Sequence, residues 1–244
     1  EHVTVSLGDS ARGPFASISA GSSTIPSMGP AVRAAAADAR RQIEEIAEQM
    51  GKQGEPVAEI VSVLESSQIL GKGARGPNPA GMQVLTFGVQ VAEVAVDVET
   101  GEVWVDRIAA VHDVGRVINP LGAQSQVEGG IIQGIGHTLS EQRLHDPRTG
   151  QILTTSLDAY KLPTIADVPE IVSELIDEPD AHLTNLGSKG LGEPPIVPTA
   201  AAIANAIRDA TGAEVHELPI SREEMLRALR EAKERTRDKA PAGI

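Results

Sequence analysis

The sequence predicts an α+β fold, and three observations carry that prediction. Residues 84–112 alternate apolar and polar side chains on both sides of "ETGE", the pattern of a β-hairpin. Two Ala-rich runs, "PAVRAAAADARRQIEEIAEQMG" (30–51) and "PPIVPTAAAIANAIRDATG" (194–212), open on proline and close on glycine, as helices do. The chain is 41% apolar with only two Phe, one Trp and one Tyr, so Val, Ile, Leu and Ala must build its core.

Taken in order, "VTVSL" (3–7) suits a strand that ends at the turn "GDS". "GPFASISAGSSTIPSMG" (13–29) is rich in Gly, Ser and Pro and reads as a loop. The first helix follows, with Pro30 at its start and Gly51 at its end. Residues 55–70 are ambiguous, and "GKGARGPNPAG" (71–81) is a loop. The hairpin pairs 84–98 with 103–114. Its apolar parity changes between Val91 and Val94, which predicts a bulge near Ala92 and Glu93.

A loop at 115–126 leads into "VEGGIIQGIGHTLSEQ", a helix carrying Gly129, Gly130, Gly134 and Gly136. Glycine inside a helix costs roughly 1 kcal/mol against alanine. Either the approach of a ligand or tight packing against another element accounts for it. "LHDPRTGQIL" is a turn, and "DAYKLPTIADVPEIVSELID" combines a short turn with a strand. The charged segment from Arg222 to the end reads as an exposed helix and a frayed tail. Two stretches are expected, 1–220 and a C-terminal helix and tail at 221–244.

The formal charge of −13 argues against a nucleic-acid partner, because phosphates would be repelled. The absence of cysteine excludes disulfides, Fe–S clusters held by this chain and thiolate metal sites. The six histidines are scattered, without zinc-protease spacing, and no protein metal ligand is assigned. No apolar run approaches the ~18 residues of a membrane span, and no signal peptide is visible, so a cytoplasmic protein is expected. The chain opens on Glu1, in a strand-like segment, as a processed chain, a split subunit or a truncated piece would.

One carboxylate has an unusual frame. In "GSKGLGEPP", Glu193 lies between a glycine-rich turn and two prolines. Prolines at a helix start waste no donor, and the helix dipole there favours negative charge. Glu193 could therefore be a buried, ionised base beside a cofactor, or a capping residue in a tight turn. Asp113 and Asn119 suit turn-fixing roles, Tyr160 and Lys161 structural ones, and His112 and His137 satisfied core positions.

"GSKGLGEPP" with the Ala-rich helix after it resembles the active-site glutamate segment of the xanthine oxidase family of molybdenum hydroxylases. The likeness extends to three other blocks in the family's order across roughly residues 3–212. The segment 87–141 resembles the family's hairpin, its D-x-G-x-x-x-N-P turn and its Q-x-E-G and Q-G-x-G runs. "DAYKLPTIADVP" resembles its Y-K-x-P segment, and "GDSARGPFASISAGSSTIPSMGPAV" its serine-rich cofactor loop.

The resemblance implies the C-terminal half of a molybdopterin-binding large subunit, with a twisted, mostly antiparallel sheet packed with helices. It implies molybdopterin carrying molybdenum, in the cytosine dinucleotide form, and hydroxylation of an N-heterocycle or aldehyde with water as the oxygen source. Glu193 matches the family's base. Lys189, Gly190, Leu191 and Gly192 match the backbone that passes the cofactor. Gln126 matches the glutamine of Q-x-E-G, and Ala20, Gly21, Ser22, Ser23 and Thr24 the serine-rich loop. The implied partners are a companion chain with the N-terminal half of the subunit, an Fe–S subunit, a flavin (FAD) subunit and a small-molecule substrate. A non-catalytic structural or cofactor-carrying paralogue is the alternative.

Overall fold

A computed structural model of the chain describes residues 3, 8–11, 13, 15, 18–63, 68–77, 80–83 and 85–239. The strand expected at 3–7 lies almost wholly outside these residues. The chain forms two compact units, one from residues 1–84 with 179–190 and the other from 85–178 with 191–244.

Helix α1 (Thr24–Gln49) dominates the first unit. It begins six residues before Pro30, so the end of the expected loop, from Thr24 on, is helical and Pro30 lies inside the helix. A mid-helix proline leaves the carbonyl four residues earlier without its donor. Here the Arg75 side chain supplies one, its Nε donating to the Pro26 carbonyl at 3.1 Å. That replacement comes from a segment far along the chain, which is why local reading placed the helix start too late.

Within the expected loop 71–81, residues 71–73 lie against α1. A Cβ on Gly71 would fall 2.1 Å from the Ala35 carbonyl oxygen, and one on Gly73 2.3 Å from that of Ala31. Lys72 donates its N–H to Asp38 at 3.0 Å, and this bond is the main reason the Asp38 carboxyl is held below its ordinary pKa. Part of the ambiguous 55–70 stretch is a short helix, α2 (Val57–Ser62).

The second unit is a three-stranded sheet with helices on one face. Strand β1 (Phe87–Val96) pairs antiparallel with β2 (Val103–Asp113), and β3 (Glu170–Ile176) joins β2 in parallel. The α+β class holds, and the antiparallel hairpin contributes the longer pairing. The register shifts between Glu93 and Val94, beside the predicted bulge. Asp97 closes the hairpin by accepting N–H bonds from Glu99 (2.8 Å) and Thr100 (3.1 Å), which lower its pKa.

A parallel β2–β3 pair requires a crossover, and α3 (Pro120–Leu139) lies in it. This helix takes in most of the loop expected at 115–126. Asn119 caps it, accepting the Gly122 N–H at 3.0 Å, and Pro120 occupies the first position, where a missing N–H costs nothing. Asp113 likewise fixes a turn, accepting the Gly115 N–H at 2.9 Å. Helix α4 (Thr199–Thr211) ends at Gly212 with φ 71°, as the sequence predicts.

The core lies between the sheet and the helices. Ile108, Val127, Ile131, Ile203, Ile207 and Met225 are wholly inaccessible to solvent. Burial of each side chain of this size stabilises by about 1.5–3 kcal/mol. Met225 lies on α5 (Arg222–Lys239), with Ala228, Leu229 and Ala232 also buried. The C-terminal helix is thus a core element on one face and not simply exposed. Its spacing of three and four residues makes a narrow apolar stripe that its many charges conceal.

Candidate functional site

The candidate residues divide between the two units. Ala20–Thr24, Lys189 and Gly190 belong to the first, and Gln126, Leu191, Gly192 and Glu193 to the second.

In the first unit, the serine-rich loop turns sharply into α1. Gly21 (φ 62°) and Ser22 (φ 56°) are both left-handed, and the Ser23 N–H donates to the Ala20 carbonyl at 3.3 Å. Two consecutive left-handed residues spanned by such a bond make a type I′ geometry, which glycine favours at its first position. The Ser23 hydroxyl donates to the Ala20 carbonyl at 2.7 Å and does not cap the helix. The Ser19 and Thr24 hydroxyls share a 2.5 Å contact across the turn. The turn therefore presents small polar side chains at the positive end of a 26-residue helix, where anions are favoured.

The 179–190 segment is fastened to the same end of α1. Asn185 donates to the Pro30 carbonyl at 3.2 Å, and Arg33 donates to the Asn185 carbonyl. Leu186 packs where a Cβ on Gly29 would stand, 2.4 Å away. The Thr184 hydroxyl accepts the N–H groups of Leu186 and Gly187, each at 3.2 Å. These contacts bring Gly190 against the serine loop: a Cβ there would fall 2.4 Å from the Ser22 carbonyl oxygen. Only glycine allows that approach. Beside it, the Ser188 hydroxyl is buried with no hydrogen-bond partner among the described residues. A close-fitting backbone, an unmatched buried hydroxyl and a helix N-terminus suit a polyanionic, phosphate-bearing group.

In the second unit, Glu193 precedes a 3₁₀ turn, Pro194–Ile196, and α4 begins only at Thr199. The prolines thus open this turn and not the α-helix. The expectation that Glu193 adjoins the helix terminus and is buried is corrected, since its side chain is exposed. This 3₁₀ turn separates Glu193 from the regular α hydrogen bonding of α4. Leu191 packs partly into the core, whereas Gly192 is exposed.

Gln126 lies on α3, exposed, one turn before Gly130. The glycines of α3 have packing partners. A Cβ on Gly130 would fall 2.7 Å from Pro195 Cβ, one on Gly134 2.5 Å from Thr199 Cβ, and one on Gly136 2.7 Å from Pro163 Cδ. Gly129 alone of the four faces open space. Tight packing accounts for the other three.

His112 is fully buried, as a core position, but neither ring nitrogen has a hydrogen-bond partner among the described residues. Burial holds its pKa below the ordinary value. His137, expected in the core, is exposed on α3. Tyr160 donates to Glu141 at 2.8 Å, which raises its pKa, and Lys161 pairs with Asp167 at 3.9 Å. Both contacts are structural. Among the described residues, no group of three or more His, Cys, Asp or Glu could hold a metal, and no helix is long and apolar enough to cross a membrane. Sequence reasoning missed Ser188, Gln90 and Thr199. Only Gln90 left a trace, as a polar residue at an inward position of an alternating strand.

Residues 1–169 match the family described as the molybdopterin cofactor-binding domain. The chain is 41% identical over 137 residues to the xanthine dehydrogenase molybdenum-binding subunit of Escherichia coli O157:H7, covering 55% of this chain and 18% of that one. It is 29% identical to the nicotine 6-hydroxylase large subunit of Paenarthrobacter nicotinovorans, covering 94% of this chain and 32% of that one. Its fold matches the aldehyde oxidoreductase of Desulfovibrio desulfuricans with a TM-score of 0.70 and 28% identity, over 88% of this chain and 24% of the other. The matches thus cover 18–32% of the length of these relatives. The chain belongs to the molybdopterin cofactor-binding domain family, among the molybdenum-binding subunits of the xanthine oxidase family.

Proposed function

We propose that this chain is part of the molybdenum subunit of a hydroxylase that oxidises an N-heterocycle or aldehyde with water as the source of oxygen, and that Glu193 is its base. The observation that carries the reading is the intact "GSKGLGEPP", with its carboxylate exposed at the head of a proline-stiffened turn. When bound, the molybdenum cofactor supplies the two-electron redox chemistry. The protein's part is to orient the cofactor and accept a proton.

Ala20, Gly21, Ser22, Ser23 and Thr24 hold the cofactor's phosphates at the start of α1, and Lys189 and Gly190 pass beside them. Gln126 contacts the pterin dinucleotide, which in this reading is the cytosine form. Leu191 and Gly192 carry the backbone onward to Glu193. These 244 residues contain no cysteine, so thiolate-held Fe–S clusters would lie outside them, in this reading on an Fe–S subunit, with FAD on a flavin subunit. A companion segment carrying the N-terminal half of the subunit completes the cofactor pocket.

The test is Glu193→Gln in the assembled, cofactor-loaded enzyme. The amide keeps the shape and cannot act as a base. Turnover falls ~10²–10⁴-fold, while molybdenum content and partner chains are retained. Unchanged turnover would refute the base assignment.

A further inference from the structure

The turn that carries Glu193 contains two prolines. Pro194 and Pro195 have no N–H to donate. The two bonds that close the turn are long, Ile196 N–H to the Glu193 carbonyl at 3.3 Å and Val197 N–H to the Pro194 carbonyl at 3.2 Å. A hydrogen bond from a distant strand supplements them. Gln90, on β1, donates its Nε2 to the Pro195 carbonyl at 2.7 Å. The Thr199 hydroxyl donates to Gln90 Oε1 at 2.8 Å and lies 3.3 Å from the same Pro195 carbonyl. Thr199 is wholly inaccessible and Gln90 is 8% exposed, so water cannot readily replace these partners.

The arrangement demands an amide. A carbonyl only accepts, so the NH₂ of Gln90 must face Pro195, and its oxygen is left for the Thr199 hydroxyl. One side chain must donate and accept at once. On the other side of the turn, Gly130 and Gly134 leave room for Pro195 and Thr199. The Pro195 carbonyl is thereby located from two directions, by a hydrogen bond from the sheet and by steric contact with α3.

We propose that Gln90 is a positioning residue for Glu193. With Thr199 it clamps the Pro195 carbonyl and so fixes where the Glu193 turn places its carboxylate. The proposal rests on the reading of Glu193 as base, and its test includes a readout independent of turnover.

Three variants of the assembled enzyme separate the possibilities. Gln90→Leu removes both bonds. Thr199→Val removes the donor to Gln90, and Thr199→Ser keeps it. Amide hydrogen exchange at Ile196 and Val197 is expected to speed up about tenfold or more in Gln90→Leu, as befits loss of a buried hydrogen bond. Thr199→Val should move it in the same direction and Thr199→Ser should restore protection. The value of kcat should fall with exchange while KM changes less, because the base is displaced and substrate binding is not.

Gln90→Glu adds a pH signature. A neutral carboxylic acid can donate to Pro195 and accept from Thr199, whereas a carboxylate cannot donate. Its kcat should therefore fall as pH rises through the pKa of the introduced acid, relative to the parent enzyme over the same range. Wild-type exchange at Ile196 and Val197 in both Gln90→Leu and Thr199→Val would overturn the clamp. So would a Gln90→Leu enzyme that loses only thermal stability and keeps its kcat. If Gln90→Leu does not assemble, Thr199→Val and Gln90→Glu read the same step. A fully active Glu193→Gln would refute the base while leaving the exchange result to decide the clamp.

Discussion

The two units are stabilised by different means. The second has an apolar core in the ordinary sense, in which Ile108, Val127, Ile131, Ile203, Ile207 and Met225 exclude water between sheet and helices. The first has few buried large side chains among its described residues. It relies on backbone pressed against backbone, with Gly71 and Gly73 on Ala31 and Ala35 and Gly190 on Ser22. Side chains from outside α1, Arg75 and Asn185, reach its carbonyls. Where glycines meet backbone, added carbon has nowhere to go, whereas in a packed core removal of carbon leaves a cavity as well. The candidate residues Ala20–Thr24, Lys189 and Gly190 lie in the glycine-built unit, and Glu193 lies in the core-built one.

The sharpest contrast is expected in activity. Glu193→Gln should cost ~10²–10⁴-fold in turnover with thermal stability retained, because the side chain is exposed and takes no part in the core. Next in size comes Ile203→Ala in the second unit. Truncating a wholly buried isoleucine removes transfer energy and leaves a cavity, at a cost of ~2–5 kcal/mol, measurable by urea denaturation of the assembled protein. Gly73→Ala probes the first unit by the opposite change. The added methyl meets the Ala31 carbonyl oxygen and should cost ~1–3 kcal/mol, with faster amide exchange along α1. Unaltered exchange there would erase the distinction between the two units.

The smallest effect concerns His112. Burial pushes its pKa below the ordinary 6.5. As pH falls below 6.5, the unfolded chain takes up a proton that folded His112 resists. Stability is therefore full above that pH and declines through the window down to the folded pKa. A melting-temperature profile should show this decline in the parent protein and a flatter one in His112→Leu. Equal slopes would mean that the imidazole titrates the same way in both states.

Much of the fold was legible where the signal is local. The hairpin and its bulge follow from alternation and a change of parity. The end of α4 follows from Gly212, and the turn roles of Asp113 and Asn119 from their short polar side chains. Three elements depart from the sequence reading, each for a physical reason. Helix α1 starts early because Arg75 compensates a proline from a distant segment. The loop before α3 is mostly helix because Asn119 and Pro120 form a start signal ahead of the glycines. The apolar stripe of α5 is narrow and lies among charges.

The candidate site divides along the same line. By itself the sequence determined the chemistry on offer: a carboxylate framed by glycines and prolines, a serine-rich turn, no thiolate, and a family pattern that membership bears out. Tertiary structure alone decided which backbone atoms meet. It set Gly190 on Ser22, Pro195 and Thr199 on the α3 glycines, and Gln90 on the Pro195 carbonyl across a separation of 105 residues. Periodicity reports which face of an element is apolar. It carries no information about a single polar contact between distant segments, since that contact depends on the packing that brings them together.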